Sequence, residues 1–429
     1  MSEQKETASP SLAKEKTPLL QLTPFTGYQV FMVVILSLLQ FTVILDFMVL
    51  SPLGTILMKT MKMQPHQFGS VVSAYAFSAG ISGILAAGFA DKFDRKKLLM
   101  FFYVGFILGT LFCGLANSYE TLLAARIFTG VFGGVIGSIS MAIVTDVFSL
   151  QQRGRVMSFI QMAFAGSQIL GLPIGLFLAT RFNWHMTFFM IVGLTVLVGI
   201  AVMLKMKPLT EHLKLQTQSN PLLHLWNTVQ KRDYRIGFMA TALLSMGGFM
   251  LMPFTTDFIV NNVKISLEDL PTIQVFTGIS SMIVMIIIGR VTDRINKMTL
   301  FIGGSVVASI MVVIYTNMGP SPMWLVILIN MVLFMGIMGR VVPATALSSA
   351  VPEMSDRGAY MSVNASLQQM AGGFAAIFAG FIVVKQGEDA PLQNFDVLGY
   401  VMLGFIFLCI YLMARVDKLV ARKQQKAGN

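Results

Sequence analysis

The sequence predicts an all-α integral membrane protein whose twelve transmembrane helices form two pseudo-symmetric six-helix bundles. Three observations predict it. Of 429 residues, 55% are apolar and 12% charged, with a mean hydropathy of +0.73, which leaves too little polar surface to cover a soluble globule of this length. The apolar residues fall in long runs separated by short polar turns, and a run of about 20 matches the hydrocarbon thickness of a bilayer. The charged turn Asp91-Lys92-Phe93-Asp94-Arg95-Lys96-Lys97 returns in altered form as Gly289-Arg290-Val291-Thr292-Asp293-Arg294-Ile295-Asn296-Lys297. At nearly the same separation, Arg153-Gly154-Arg155-Val156-Met157-Ser158 returns as Arg357-Gly358-Ala359-Tyr360-Met361-Ser362, so the second half reads as a duplicate of the first.

Residues 1–27 are rich in Lys, Glu, Ser, Thr and Pro and read as a disordered cytoplasmic tail. No short apolar core lies near their start, so they do not read as a cleavable signal peptide. Residues 28–204 form the first bundle, with helices predicted at 29–53, 68–90, 98–116, 121–145, 156–178 and 187–204. Residues 205–235 are a polar cytoplasmic linker. Within it Pro221-Leu222-Leu223-His224-Leu225-Trp226 reads as a short amphipathic helix on the inner membrane surface, with Lys231 and Arg232 facing headgroups. Residues 236–416 form the second bundle, with helices at 236–260, 271–288, 298–315, 323–346, 361–384 and 397–415. Residues 417–429 read as a second cytoplasmic tail.

Basic residues set the orientation. Most of the 31 lie on the two tails, the linker and the turns on the same side, whereas Lys59, Lys62, Arg181, Lys264 and Lys385 occupy the opposite side and Arg126 and Arg340 lie within helices. Both termini are therefore expected in the cytoplasm. The net charge of +11 follows this topology and does not indicate nucleic acid. Cys113 and Cys409 fall inside apolar runs and form no disulfide framework. Neither extramembrane segment is large enough for a catalytic domain, no phosphate-binding loop ending in Lys-Ser or Lys-Thr occurs, and the four histidines show no metal-ligand spacing. An enzyme, a cofactor and a metal are not expected.

The 6+6 arrangement with a charged turn after the second and eighth helices resembles the major facilitator superfamily, from about residue 28 to 416. That family's loop signature is G-x-x-x-D-[RK]-x-G-x-[RK]-[RK]. Asp91, Lys92, Arg95, Lys96 and Lys97 fit it, with the first Gly displaced to Gly88 and the second replaced by Asp94; in the second half Gly289, Asp293, Arg294 and Lys297 fit. The resemblance implies that Asp91 meets the start of the eleventh helix near Gly358 to Met361, where a helix N-terminus favours an anion. It also implies that Arg95 pairs with Asp146 at the inner end of the fourth helix. Asp91, Arg95, Asp146, Gly289, Asp293 and Arg294 would then form a cytoplasmic gate; a plain topogenic turn is the alternative.

Charges inside the membrane cost about 2.5 to 3.5 kcal/mol at a helix centre. Asp46 lies about seven residues before the predicted outer end of the first helix and Arg126 about five from that of the fourth, so at 1.5 Å per residue both sit roughly 8 to 11 Å below the boundary and can pair. The pattern Arg126-x-x-x-Gly130-x-x-x-Gly134 resembles the fourth-helix signature of proton-driven members, and Asp46 followed by Pro52 the first-helix signature of drug exporters. Burial and a neighbouring guanidinium act oppositely on a carboxyl, so movement of Arg126 would switch its protonation. Asp46 would carry the proton and Arg126 tune it; a static ion pair is the alternative.

Gly171-x-Pro173-x-Gly175 in the fifth helix resembles the exporters' Gly-Pro signature, and its small residues would allow close approach to a helix of the other half. Close packing alone needs the same glycines. Gln40, Gln161, Gln168, Asn330, Arg340, Asn364 and Gln368 could face a central cavity, while Asp257 reads as a residue snorkelling at its helix end. The 32 Met and 34 Phe suit a cavity for varied apolar ligands. Sugar carriers show more in-membrane Trp, Asn and Glu. The expectation is a proton-coupled, alternating-access exporter of small lipophilic or cationic compounds in the plasma (inner) membrane. The family resemblance adds a monomer. An uptake or exchange carrier for a specific metabolite or lipid is the alternative, and a non-transporting membrane sensor a more distant one.

Overall fold

A computed structural model describes residues 24–87, 89–210, 213, 221–291, 295–353, 356–387 and 389–428. Twelve helical spans in it are long and apolar enough to cross a membrane, and the chain is a multi-pass membrane protein. The first span is α1 (Gly27–Met48) continued by α2 (Leu50–Thr60). It is followed by α3 (Pro65–Ala87), α4 (Arg95–Leu115) and α5 (Tyr119–Val147). The fifth span is α6 (Leu150–Gly166), a π segment (Ser167–Gly171) and α7 (Leu172–Arg181), and α8 (His185–Lys205) closes the first half. A linker helix α9 (Pro221–Gln230) leads to α10 (Arg232–Phe249) and α11 (Thr255–Asn261), which share the seventh span. The remaining five are α12 (Leu270–Val291), α13 (Lys297–Thr316), α14 (Met323–Ser349), α15 (Arg357–Ile382) and α16 (Phe395–Gly428).

Polar residues at the turns fix where these helices start. Thr26 and Gln29 form a reciprocal capping box on α1. Asp94, which stands where the family signature has glycine, caps α4 by accepting the Lys96 backbone N–H at 2.8 Å. Its duplicate Asn296 caps α13 in the same way, accepting from Met298 and Thr299. The charged turn is also tied to the end of α8: Asp94 accepts the Leu209 N–H, and Lys96 Nζ donates to the carbonyls of Met203 and Met206.

Three apolar cores hold the bundle. One joins both halves at the end away from the linker, where Leu53, Leu57, Phe68 and Leu176 pack with Phe254, Ile259, Leu270 and Leu398. The other two lie toward the linker, one within the first half around Ile35, Phe106 and Ile139, the other within the second around Phe238, Phe301 and Tyr360. Among the described residues, the halves thus share a core at the far end and keep separate cores at the linker end. The seam runs along α3 and α15: a side-chain carbon at Gly69 would lie 2.6 Å from the Ala376 carbonyl, and one at Gly380 2.9 Å from His66 Cα. Close backbone approach there requires glycine.

Several expected boundaries shift. The first span runs on to Thr60 instead of ending at 53, because α2 buries Leu53, Leu57 and Met58 at the far end. The expected tail from 417 is helical to Gly428, since Val416 and Val420 are buried against the second half and Lys423 Nζ donates to the Val351 carbonyl at 2.8 Å. The linker helix is docked on protein and not on headgroups alone: Leu225 and Thr228 are buried and Lys231 pairs with Asp356.

Candidate functional site

Asp46 and Arg126 meet at the core of the first half. α1 carries Asp46 and α5 carries Arg126; Arg126 Nη1 donates to Asp46 Oδ2 at 2.7 Å and to the Asp46 carbonyl at 3.3 Å. Both side chains are 0% exposed. Thr110 of α4 donates to Asp46 Oδ1 at 3.2 Å, and the Tyr75 ring of α3 lies 4.5 Å from the Arg126 guanidinium carbon. The Nε and Nη2 of Arg126 are enclosed without a hydrogen-bond partner. Four helices thus build one charged centre whose bonding is incomplete on the guanidinium side. With the first span extending to Thr60, Asp46 lies deeper below the far end than the 29–53 helix implied. Thr110 and Tyr75 were not legible in the sequence, because a single hydroxyl in an apolar run carries no sign of the face it occupies.

Gly130 and Gly134 let α5 sit against α3, where added side chains would strike Tyr75 and Ala79. That contact brings Arg126 under the Tyr75 ring. Gly171 and Gly175 correct the expectation of an inter-half contact. They abut Leu45, Val49 and Thr187, all in the first half, because the π segment turns their face inward. The opposite face of the fifth span reaches the other half, where Gly278 of α12 lies against Gln168 and Ile169. Pro173 follows the π segment directly, at the second position of α7.

At the linker end, Arg95 Nε donates to Asp146 Oδ2 at 3.1 Å and Arg95 Nη1 to the Ala90 carbonyl at 3.1 Å. This pair ties the start of α4 to the end of α5. Asp91 lies in a 3-10 turn, Ala90–Lys92. Asp293 and Arg294 lie outside the described residues, as do the side-chain surroundings of Asp91, Gln161 and Gly289. At the start of α15 stands Asp356. Its carboxylate accepts from Tyr234 Oη at 2.8 Å, pairs with Lys231 and has His224 Nε2 at 3.8 Å. The Lys231 ammonium holds this carboxyl below the ordinary carboxylate range, and the same bond raises the Lys231 ammonium.

At the far end the halves meet through a hydrogen bond from Ser51 to the Met252 carbonyl and an exposed ion pair, Lys59–Asp389 at 3.0 Å. Asp257 corrects its expected snorkelling: it is fully buried, accepting from Lys385 Nζ and Asn261 Nδ2, each at 2.8 Å. Its second oxygen is enclosed beside the Thr55 hydroxyl of α2. Of the expected cavity residues, Gln168, Asn330, Arg340 and Asn364 are buried, while Gln40 and Gln368 are half-buried. Gln40 Oε1, Gln168 Oε1 and Asn364 Oδ1 have no partner, whereas Asn330 bonds within its own helix to Val326. A narrow crevice between the halves is lined by Phe47, Ser51, Val72, Phe249, Met252 and Ala376.

The family model described as Major Facilitator Superfamily matches residues 36–376. An uncharacterized MFS-type transporter, YceJ of Bacillus subtilis (strain 168), is 26% identical over 268 residues, 62% of this chain and 67% of that protein. The probable sugar efflux transporter of Helicobacter pylori (strain G27) is 23% identical over 241 residues, 56% of this chain and 60% of its own length. A bacterial homolog of the human lysosomal transporter Spinster, solved in an inward-facing, unoccupied conformation, superimposes with a TM-score of 0.74 over 93% of this chain and 99% of its own. At 14% identity that likeness is one of fold.

Proposed function

The chain belongs to the Major Facilitator Superfamily, and we propose that within it this protein is a secondary active transporter exporting small lipophilic compounds in exchange for protons. The observation that carries this reading is the enclosed Asp46–Arg126 pair at 2.7 Å. Burial favours the neutral form of this carboxyl and the guanidinium its charged form, so in this reading drawing the pair apart lets Asp46 take up a proton. Proton release and uptake are therefore tied to a relative displacement of α1 and α5. In this reading Asp46 carries the proton and Arg126 sets when it is held.

Alternating access supplies that displacement. The linker end is proposed to face the cytoplasm, which puts both termini inside and makes the shared far-end core the closed outer gate. Asp91, Arg95 and Asp146, with Gly289, Asp293 and Arg294 in the second half, are proposed as the cytoplasmic latch; the Arg95–Asp146 bond lies within the first half and is made while the far end is closed, so its part is to hold the Asp91 turn in place. The protein is proposed to work as a monomer in the plasma (inner) membrane.

A second reading is uptake or exchange of a specific metabolite or lipid, favoured by the unpartnered amide oxygens of Gln40, Gln168 and Asn364, which suit a polar ligand. The test is purified protein in liposomes with an imposed pH gradient and an internal pH dye, challenged with lipophilic drugs, sugars and amino acids. Dye movement with the drugs that is lost in Asp46→Asn supports the first reading. A response to one polar metabolite alone supports the second, and drug response at full strength in Asp46→Asn removes Asp46 as carrier.

A further inference from the structure

The second half holds a buried cation that proton exchange leaves unused. Arg340, in α14, is 2% exposed. Its Nε and Nη2 are enclosed without a hydrogen-bond partner. No ion pair among the described residues includes it. Its neighbours are the Phe301 ring at 5.5 Å and the Cys409 thiol, and neither balances a guanidinium. Arg126 in the first half has a carboxylate at 2.7 Å; Arg340 has none.

The side of Arg340 toward α10 meets a residue without a side chain. A side-chain carbon at Gly247 would lie 3.8 Å from Nη1 and 3.9 Å from Ile406. Phe249, further along α10, lines the crevice between the halves. Arginine stays charged at any accessible pH, and uncompensated charges inside a membrane protein mark ligand paths. Asp46 is matched by Arg126 and Asp257 by Lys385. Arg340 therefore leaves this interior positive, and a cationic compound would meet a like charge.

We propose that Arg340 is the counter-ion for an anionic group, a carboxylate, sulfonate or phosphate, on the transported compound, so that the substrates are amphiphilic anions and not cations. This rests on the transport reading given above.

The test is equilibrium binding of three fluorescent probes sharing one body, pyrenebutanoate, pyrenebutanamide and pyrenebutyl-trimethylammonium. Purified protein in phosphatidylcholine nanodiscs is used at constant pH with no gradient. The acid is expected to bind about 10- to 100-fold tighter than the amide, the range of a charge-assisted hydrogen bond, and the ammonium more weakly than the amide. Arg340→Gln is expected to erase the difference between acid and amide, and Arg340→Lys to retain part of it. Equal binding of acid and amide, or tighter binding of the ammonium, in the unaltered protein overturns the proposal even if the glutamine variant does not fold. Displacement of the acid by phosphatidylglycerol would reassign the site to a resident lipid headgroup and overturn it equally. The preference is read without a proton gradient, so its failure is separate from a failure of proton coupling, which Asp46→Asn reports.

Discussion

Asp46→Asn is the substitution that tests the charged centre most directly. Asparagine keeps the shape and one acceptor oxygen, so the bond from Arg126 Nη1, now 2.7 Å, survives as one from a cation to a neutral oxygen. Its amide can donate back to Thr110. What disappears is the negative charge, and Arg126 has little else: Nε and Nη2 are without partners and the Tyr75 ring lies at 4.5 Å. Removing one member of a buried ion pair costs about 3 to 5 kcal/mol. Retaining a hydrogen bond from the guanidinium offsets about 2 kcal/mol of that, which leaves about 1 to 3 kcal/mol. Arg126→Gln is expected to cost less, because the carboxyl it strands can neutralise itself by protonation. Combining the two removes both charges. The double variant is therefore expected to fall short of the summed single losses by about 2 kcal/mol, within the range measured for residues in contact. Denaturant unfolding in mixed micelles reads the cycle, and the dye assay reads proton movement, which is expected to vanish in all three variants. Additive losses, or proton movement at the unaltered level in Asp46→Asn, would refute the coupling.

Three further outcomes are expected. Arg95→Gln breaks the bond to Asp146, which is 23% exposed, so the stability loss should be about 1 kcal/mol or less; transport should slow severalfold, and the swap Arg95→Asp with Asp146→Arg should restore part of it, whereas unchanged transport in Arg95→Gln removes the pair from the latch. Gly69→Val places a side chain 2.6 Å from the Ala376 carbonyl, and so should force α3 from α15; a cysteine at Ser73 should then be labelled from the far side by an impermeant maleimide, with Cys113 and Cys409 buried and silent. The Asp356 carboxyl lies below its unfolded range of about 3.9, so the docking of α9 should be complete above that value and lost only as the pH falls below about 4. The protection factors of the α9 amides, with the intrinsic pH dependence of exchange removed, should accordingly be flat from pH 5 to 8, and Asp356→Asn should release α9 at neutral pH.

The sequence carried the twelve spans because each apolar run is long enough to be unambiguous. It brought out Asp46 with Arg126, because charges within apolar runs are few and must find one another, whereas Arg95 with Asp146 came from the family resemblance. It did not disclose Asp257 with Lys385: the two are far apart along the chain, and each stands near a helix end where a solvated charge is ordinary. The continuation of α16 was hidden by Lys and Arg around Val416 and Val420, which mask a two-residue apolar stripe. The glycines of the fifth span announced close packing without saying against what. Spacing fixes which residues share a face only when the helix is regular, and between Ser167 and Gly171 it is not.

That irregularity has a mechanical consequence. Where the Leu172 N–H reaches back five residues to the Ser167 carbonyl, the fifth span stores one residue more than an α-helix of the same rise needs. α7 is clamped by Leu45 through Gly171 and by Thr187 through Gly175. α6 is joined to it only through the wider, underwound π turn. Rewriting that five-back bond as an ordinary four-back one would swivel α6 by about 100° against a fixed α7, the rotation one residue represents. Deleting a single residue from 167–171 would lock the swivel at one setting, leaving a better helix and a span whose two ends can no longer turn independently.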